Sequence, residues 1–389
     1  MTLELNQVAP QVKAMGRSLS EQRPQRDKIL HRARMLLQTF ATDLDALHER
    51  IQQAERVQES QRFGWVGAAP TGETLDQAYP LPACPERITV VASDGSQILP
   101  DPHAIALYYL INTGSIVYRH GSNQRPETYN PTPVLCFEPD KLLDESGRLI
   151  SSGEVNVRRD LAELEVLIDR LAYLNLTTEP VVTLLDGQLT LRVIDLPFQR
   201  QGEYQDRYVE LLSRLREFGG LLAGYVDRPR STFVLSLLHL ASLQPEVISE
   251  EALRLNPFRY FADSELFDFL KPGQRSAIFS VRAKGLEKYQ QAGHGIHFFY
   301  LNVGQTPAGP ALVRVEIPAW LAANPAALDP VQAVIVRQAR ITGGYPYVLA
   351  RAHELAIISN EEREAVEMML AVELRRQGMA PTLSLKQQN

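Results

Sequence analysis

Residues 88–97 read ITVVASDGSQ, and the reading of this stretch decides the fold. Ile88, Val90 and Val91 are β-branched and apolar, as a buried central strand requires. Asp94 stands at the expected C-terminal end of that strand, with Gly95 and Ser96 directly behind it. An acid placed where a strand leaves the core is held rigidly and faces a crevice. That is a common seat for a metal-binding or catalytic carboxylate. Taken alone, the same letters also describe an ordinary strand closed by an Asp-Gly turn. The weight therefore falls on whether the pattern recurs.

It recurs at 180–191, PVVTLLDGQLTL: an apolar β run from Val181 to Leu185, then Asp186-Gly187 and a polar residue. Between the two strands lies a helical pattern, VNVRRDLAELEVLIDRLAYLNL at 155–176. Leu161, Leu164, Leu167, Ile168, Leu171 and Leu174 form its apolar stripe. Glu163 lies near the edge of that stripe, one turn after Arg159. The pair reads either as a solvated i,i+4 contact or as an acid aimed across the helix–sheet boundary. Strand ends of an α/β sheet converge on one crevice. Two strand-end carboxylates and a helical third make a hard-oxygen site, which Mg²⁺ and Mn²⁺ favour.

The composition accommodates such a site. With 389 residues, 44% hydrophobic and 22% charged, the chain can bury a sizeable core without disulfides or structural metals. Cys84 and Cys136 form no CxxC pair and no metal-ligand spacing, which fits a reducing cytoplasm. No signal peptide is legible at the N-terminus, and no run approaches the roughly 20 apolar residues of a membrane span. The net charge of −6 leaves any nucleic-acid contact to a local basic patch.

Outward from the two Asp-Gly strands, residues 1–62 read as helical. Ile29, Leu30, Ala33, Leu36, Leu37, Phe40, Leu44, Leu47 and Ile51 recur at helical spacing, which predicts a hairpin or arm packed on the body or on a second subunit. A Pro/Gly/Ala-rich connection follows to Arg87. Residues 103–121 predict two strands joined by a tight turn at Asn112-Thr113-Gly114. Residues 203–222 predict an amphipathic helix ended by Gly219-Gly220. The strand after it, LLAGYV, runs into Asp227-Arg228-Pro229-Arg230, where the arginines could contact phosphate and Asp227 could be a further acid. His239 reads as a packed core histidine. Stretches 275–281, 297–304 and 311–320 predict three more strands, with Glu316 facing either way. Asp329-Pro330 predicts a helix start. Gly343-Gly344 breaks that helix, and YPYVLARAHELAII at 345–358 predicts another, with Tyr345 in its first turn and His353 about two turns on.

ASDGSQ after a strand, ELEV in a helix, LLDGQL after a second strand and GYPYVLARAHELA near the C-terminus occur in this order. Together, over roughly residues 85–360, they resemble the NurA nuclease family, partners of HerA-type hexameric DNA translocases. The resemblance implies an α/β fold: a ribonuclease H-like mixed sheet flanked by helices, here with an N-terminal helical arm. It implies a nuclease domain at 85–378; the residues themselves set off an arm and linker at 1–84, less typical of the family, and a flexible tail at 379–389. It implies a Mn²⁺ (or Mg²⁺) site with Asp94, Glu163, Asp186 and His353 as ligands, Glu165 being the alternative helical acid. Asp94, Glu163, Asp186, Tyr345 and His353 would be the catalytic set. The implied activity is a divalent-metal-dependent DNA nuclease, a 5′–3′ exonuclease with endonuclease activity. It would process DNA ends in the cytoplasm as a homodimer docked on a HerA-type ATPase. A non-catalytic DNA-binding adaptor of a translocase and a metal-dependent phosphohydrolase on small substrates are the alternatives. The chain departs from the family where a lysine-containing loop is expected after GYV and Asp227-Arg228-Pro229 stands instead.

Overall fold

The run that carries Asp94 is longer than its letters suggest. It is one continuous strand, Ile88–Ile98, inside a ten-stranded sheet. The computed structural model describes residues 4–60, 64–129, 133–144, 146–174, 179–307 and 309–379. The expected tail at 379–389 therefore lies, apart from Met379, outside the described residues.

The chain opens with α1 (Leu5–Thr39), α2 (Leu44–Ser60) and β1 (Gly67–Pro70). Then come β2 (Ile88–Ile98), β3 (Tyr109–His120), β4 (Glu127–Tyr129), β5 (Val134–Cys136), α3 (Pro139–Leu142), α4 (Ser152–Leu174) and β6 (Val181–Asp186). The middle holds α5 (Phe198–Glu217), β7 (Gly220–Val226), α6 (Phe233–Ala241), α7 (Glu250–Arg254), β8 (Phe279–Arg282) and α8 (Glu287–Gln291). The chain closes with β9 (Ile296–Thr306), β10 (Gly309–Pro318), α9 (Ala319–Ala322), α10 (Pro325–Thr342), α11 (Tyr347–Ala356) and α12 (Asn360–Arg376).

The strand order is β1-β8-β9-β10-β7-β6-β2-β3-β4, with β5 on β3. β2, β3 and β4 make an antiparallel meander, while β6 and β7 run parallel to β2 on its other side. This is the expected mixed sheet flanked by helices, extended by an antiparallel run through β10, β9, β8 and β1. Alternate residues face two apolar layers. Val91, Leu185, Phe298 and Tyr300 meet α4, α5 and α6 on one face. Val90, Ala92, Phe299 and Val315 meet α10 and α11 on the other.

Three local expectations are corrected. Asp94-Gly95 is not a turn, because the β3 ladder continues past it: Asp94 pairs with Gly114, Gly95 with Thr113 and Ser96 with Asn112. What ends at Asp94 is the parallel pairing with β6, whose last partners are Ser93 and Leu185. For the same reason Asn112-Thr113-Gly114 is not a turn but the middle of β3. Gly114 is needed there for close approach. A Cβ at this position would lie 2.6 Å from Leu355 Cβ and 2.9 Å from the Ala356 nitrogen. Asn112 Nδ2 donates to the Ala356 carbonyl at 2.7 Å, pinning the end of α11 to β3. Lastly, α10 begins at Pro325, with Pro330 inside it.

Gly114→Ala is expected to destabilise the protein by about 1–3 kcal/mol, as overpacking against backbone does. A urea midpoint equal to the wild-type value would show that α11 does not rest on Gly114.

The arm packs through its predicted stripe. Ala33, Leu37, Leu47, Ile51 and Ala54 join the core beneath α6 and β1. β1, from the connection after the arm, is the outer strand beside β8. Arg26 and Arg34 of α1 pair with Glu265 and Asp268 of the body. His239 is packed as expected, its Nε2 2.8 Å from the Ala252 carbonyl oxygen.

Candidate active site

Because Ser93 and Leu185 are the last paired residues of β2 and β6, Asp94 and Asp186 come next in register. Adjacent strands lie about 4.8 Å apart, which fixes the scale of that juxtaposition. Both residues share the parity of the side chains that face α11. Glu163 reaches the same place from the opposite layer. Its helix is held down by Ser93 Oγ, which donates to the Glu163 carbonyl at 2.9 Å. Asp94, Glu163, Asp186 and His353 thus line one cleft of about 410 Å³ where the pairing of β2 with β6 ends.

The helical acid in the cleft is Glu163. Glu165 is exposed on the other side of α4 and pairs with Arg207 at 2.9 Å. Gly95 makes room for Glu163: a Cβ there would lie 2.6 Å from Arg159 Cγ and 2.8 Å from Glu163 Oε1. Asp94 is held at both oxygens. Oδ1 accepts from the Gly95 N–H at 2.9 Å, and Oδ2 lies 2.7 Å from His353 Nδ1. That contact leaves His353 Nε2 for solvent or substrate, on a side chain 58% exposed.

Tyr345 sits just before α11, not in its first turn, and Pro346 is the N-cap. Its hydroxyl stands by the Asp186 carboxyl, whose charge adds to burial in raising the Tyr345 pKa, and its ring stands edge-on to Tyr225 at 5.3 Å. The hydroxyl therefore orients a carboxylate instead of standing free for phosphate.

Asp160, Gln188 and Arg192 are among the further groups lining the cleft, and nothing in the sequence analysis marked them. Asp160 had a legible signal, since it precedes Glu163 by three residues and so shares its helix face. Arg159, expected as a solvated partner, is instead mostly enclosed. It contacts Glu163 at 3.2 Å, Asp160 at 2.7 Å and Gln97 at 3.1 Å. Asp227 does not line the cleft, but its charge reaches Asp186.

The loop after β6 is built from outside the cleft. Glu316 is buried and its Oε2 accepts from the Leu189 N–H at 2.8 Å, while Arg314 Nη2 holds its Oε1 at 2.6 Å. Gly224 lets the Gly187 carbonyl pack tightly on β7: a Cβ there would meet that oxygen at 2.5 Å.

The acids compete for too few cations. Burial raises the Glu163 pKa well above the ordinary value, and the charges of Asp160, Asp94 and Asp186 add to it against Arg159. Asp186 is exposed as a residue, yet its carboxyl stands among enough protein to be partly desolvated. That desolvation raises its pKa, with Asp94 adding and the Tyr345 hydrogen bond opposing. Burial also raises Asp160, against the pull of Arg159. Such a cluster favours protons or a multivalent cation.

Among the described residues no three His, Cys, Asp or Glu side chains stand, as placed, in a group that could hold a metal ion. The donor chemistry nevertheless fits a hard divalent ion: carboxylate oxygens that repel one another, with one imidazole beside them.

Comparison with known families matches residues 88–358 to the NurA domain. Among solved structures, one described as the crystal structure of NurA aligns with 14% identity and a TM-score of 0.38. It covers 82% of this chain and 94% of that chain. LC9-RNase H1, a type 1 RNase H with the type 2 active-site motif, aligns with 12% identity and a TM-score of 0.22, over 38% of this chain and 65% of that one. No curated protein matches the chain.

Proposed function

Because the chain belongs to the NurA domain family, over residues 88–358, we propose that it is a divalent-metal-dependent DNA nuclease. In this reading it is a 5′–3′ exonuclease with endonuclease activity, acting on DNA ends in repair and recombination. The observation that supports it is the convergence of Asp94, Glu163 and Asp186, from two strands and a helix, on one cleft beside His353.

Asp94, Asp186 and Glu163 would hold the ion, Mn²⁺ or Mg²⁺, with the His353 imidazole beside it. Asp160 stands close enough to contribute charge. When bound, the ion supplies an activated water and charge stabilisation of the leaving oxygen. The chain's own groups do the rest. Glu163, whose pKa burial raises furthest, is the acid that the ion would hold in its ionised form. His353, oriented by Asp94 through Nδ1, carries a proton at Nε2 to or from the reacting oxygens. Tyr345 fixes the Asp186 carboxyl. Arg192, at the cleft wall, meets the phosphate.

The decisive measurement is digestion of 5′- and 3′-end-labelled linear DNA with Mn²⁺ and with EDTA. Metal-dependent release of nucleotides from the 5′ end is expected; intact DNA under every divalent ion would sink the reading.

Gly95→Ala is expected to lower cleavage on the order of 10–100-fold, because a displaced catalytic group loses its alignment. The stability cost should stay within the range of overpacking, about 1–3 kcal/mol, since the atoms displaced are side-chain atoms of Arg159 and Glu163 and not backbone. Wild-type cleavage by this variant would place Glu163 outside the machinery.

The same reading extends to a homodimer docked on a HerA-type hexameric ATPase and to a cytoplasmic location. It also keeps an arm at 1–84 and a nuclease domain at 85–378. Among the described residues no helix is long and apolar enough to cross a membrane. Light scattering of the protein alone and with such an ATPase tests the assembly.

A further inference from the structure

The turn that leaves β7 opens on a second recess, of about 990 Å³, at the edge of the sheet where β6 and β7 end. Its walls are α1 at Leu19 and Arg26, the turn Arg228–Arg230, and the segment Arg259–Tyr260. It begins close to the acidic cleft: Asp186 pairs in register with Tyr225 across β6 and β7, and Asp227 and Arg228 follow within three residues of Tyr225.

The recess is basic despite the chain's net charge. Its carboxylates are already neutralised by the arm, Glu265 by Arg26 at 3.0 Å and Asp268 by Arg34 at 2.7 Å. Arg230 and Arg259 have no carboxylate partner among the described residues. Arg228 has a side chain 93% exposed and meets only its neighbour Asp227, at 3.7 Å. Its backbone is held at φ 44°, a left-handed conformation that non-glycine residues rarely adopt. Tyr260 is 75% exposed, with the Arg259 guanidinium 4.8 Å from its ring centroid. An uncovered ring flanked by a planar cation is a stacking face for a base.

We propose that this recess holds the single-stranded end of a nucleic acid leading into the acidic cleft. Bases stack on Tyr260, and Arg228, Arg230 and Arg259 take the phosphates. The proposal rests on the nuclease reading for the identity of the substrate and extends it to how the strand is fed. A duplex keeps its base faces stacked inside and offers Tyr260 nothing; a frayed or resected end offers them. The arm, which lies outside the family resemblance, gains a role as one wall of the path.

The test is fluorescence anisotropy of a 5′-labelled 20-nucleotide oligothymidylate on the full chain in EDTA, where hydrolysis does not intervene. Tyr260→Ala is expected to weaken binding about tenfold, as loss of one stacking platform does. Arg228→Gln with Arg230→Gln should flatten the slope of log affinity against log salt by about 1.4, two phosphate contacts on a single strand. All three side chains are exposed, so melting temperatures near the wild-type value are expected and verify folding.

Variants that bind within twofold of wild type with the same slope would overturn the proposal, as would a blunt 20-base-pair duplex that binds as tightly as the single strand. The two readings fail separately. Wild type that binds the strand in EDTA but cleaves no DNA with Mn²⁺ overturns the nuclease and supports the recess. Cleavage by wild type alongside unaffected binding by the variants overturns the recess alone.

Discussion

Asp94→Ala is expected to abolish Mn²⁺-dependent DNA cleavage, a loss on the order of 10³-fold or more, as removal of a central ligand of a metal-assisted hydrolase entails. The size follows from how many functions meet at one carboxyl. Asp94 stands beside Asp186 in register, one oxygen orients His353 at 2.7 Å, and its charge acts on Glu163, Asp160 and Asp186. Removing it loses a donor and unties the proton carrier in one step.

The fold should survive, because the ladder through Asp94 uses backbone groups paired with Gly114. Removing one of the repelling charges should also bring the Asp186 pKa down, so stability should hold or rise slightly. The measurement is nucleotide release from end-labelled DNA, with circular dichroism as the fold check. A folded Asp94→Ala protein that cleaves at the wild-type rate would remove Asp94, and the nuclease reading built on it.

Arg314→Met is expected to cost about 3–5 kcal/mol of stability, the usual penalty for leaving one member of a buried ion pair alone. Arg314 and Glu316 have side chains only 5% and 2% exposed and meet at 2.6 Å. Arg314 also lies over the rings of Phe233 and Phe298 and lowers the Asp263 pKa. The loss has a pH signature. Burial already raises the Glu316 pKa, with Arg314 opposing. Without Arg314 the folded-state pKa rises further above the unfolded value of about 4.3. Below that value both states are protonated and the penalty vanishes. As pH rises through it, the unfolded chain ionises freely while the folded one does not, so stability falls.

Urea unfolding of wild type and Arg314→Met at pH 4 and pH 7 checks this. A deficit equal at both pH values would rule out an unpaired Glu316 as its cause. Substituting both partners by apolar residues should recover much of the stability. It should not recover the clamp on the loop after Asp186, since the Leu189 N–H then loses its acceptor.

How much was legible depends on the range of the interaction that decided each feature. Val90–Ala92 and Val181–Leu185 announced buried strands by residue type alone, and the α4 stripe announced its helix by period. Strand, helix and strand in that order, with the two strands parallel, already require a crossover. Asp94-Gly95 and Asn112-Thr113-Gly114 misled because a turn dipeptide bends only where no partner strand continues the ladder. Here each stretch is the other's partner, a pairing across about twenty residues that local letters do not encode. Gly114 looked like a turn glycine and is instead the floor on which Leu355 and Ala356 rest.

By itself, then, the sequence determined the order of the elements and the kinds of group available to the site: two acids behind buried β runs, a helical acid and a C-terminal Tyr/His pair. The acids follow from local periodicity and residue chemistry, the Tyr/His pair from the family resemblance. Only the tertiary structure decided which helical acid faces the cleft, Glu163 and not Glu165, because the phase of a helix against a sheet is set by packing. Ser93 and Gly95 on β2 fix it here. It also decided that Tyr345 is committed to Asp186, that Asp160 joins the cluster, and that the arm comes to stand beside the arginines of the β7 turn. Each is a contact between residues far apart in the chain, and the physical cause lies in the burial that brings them together.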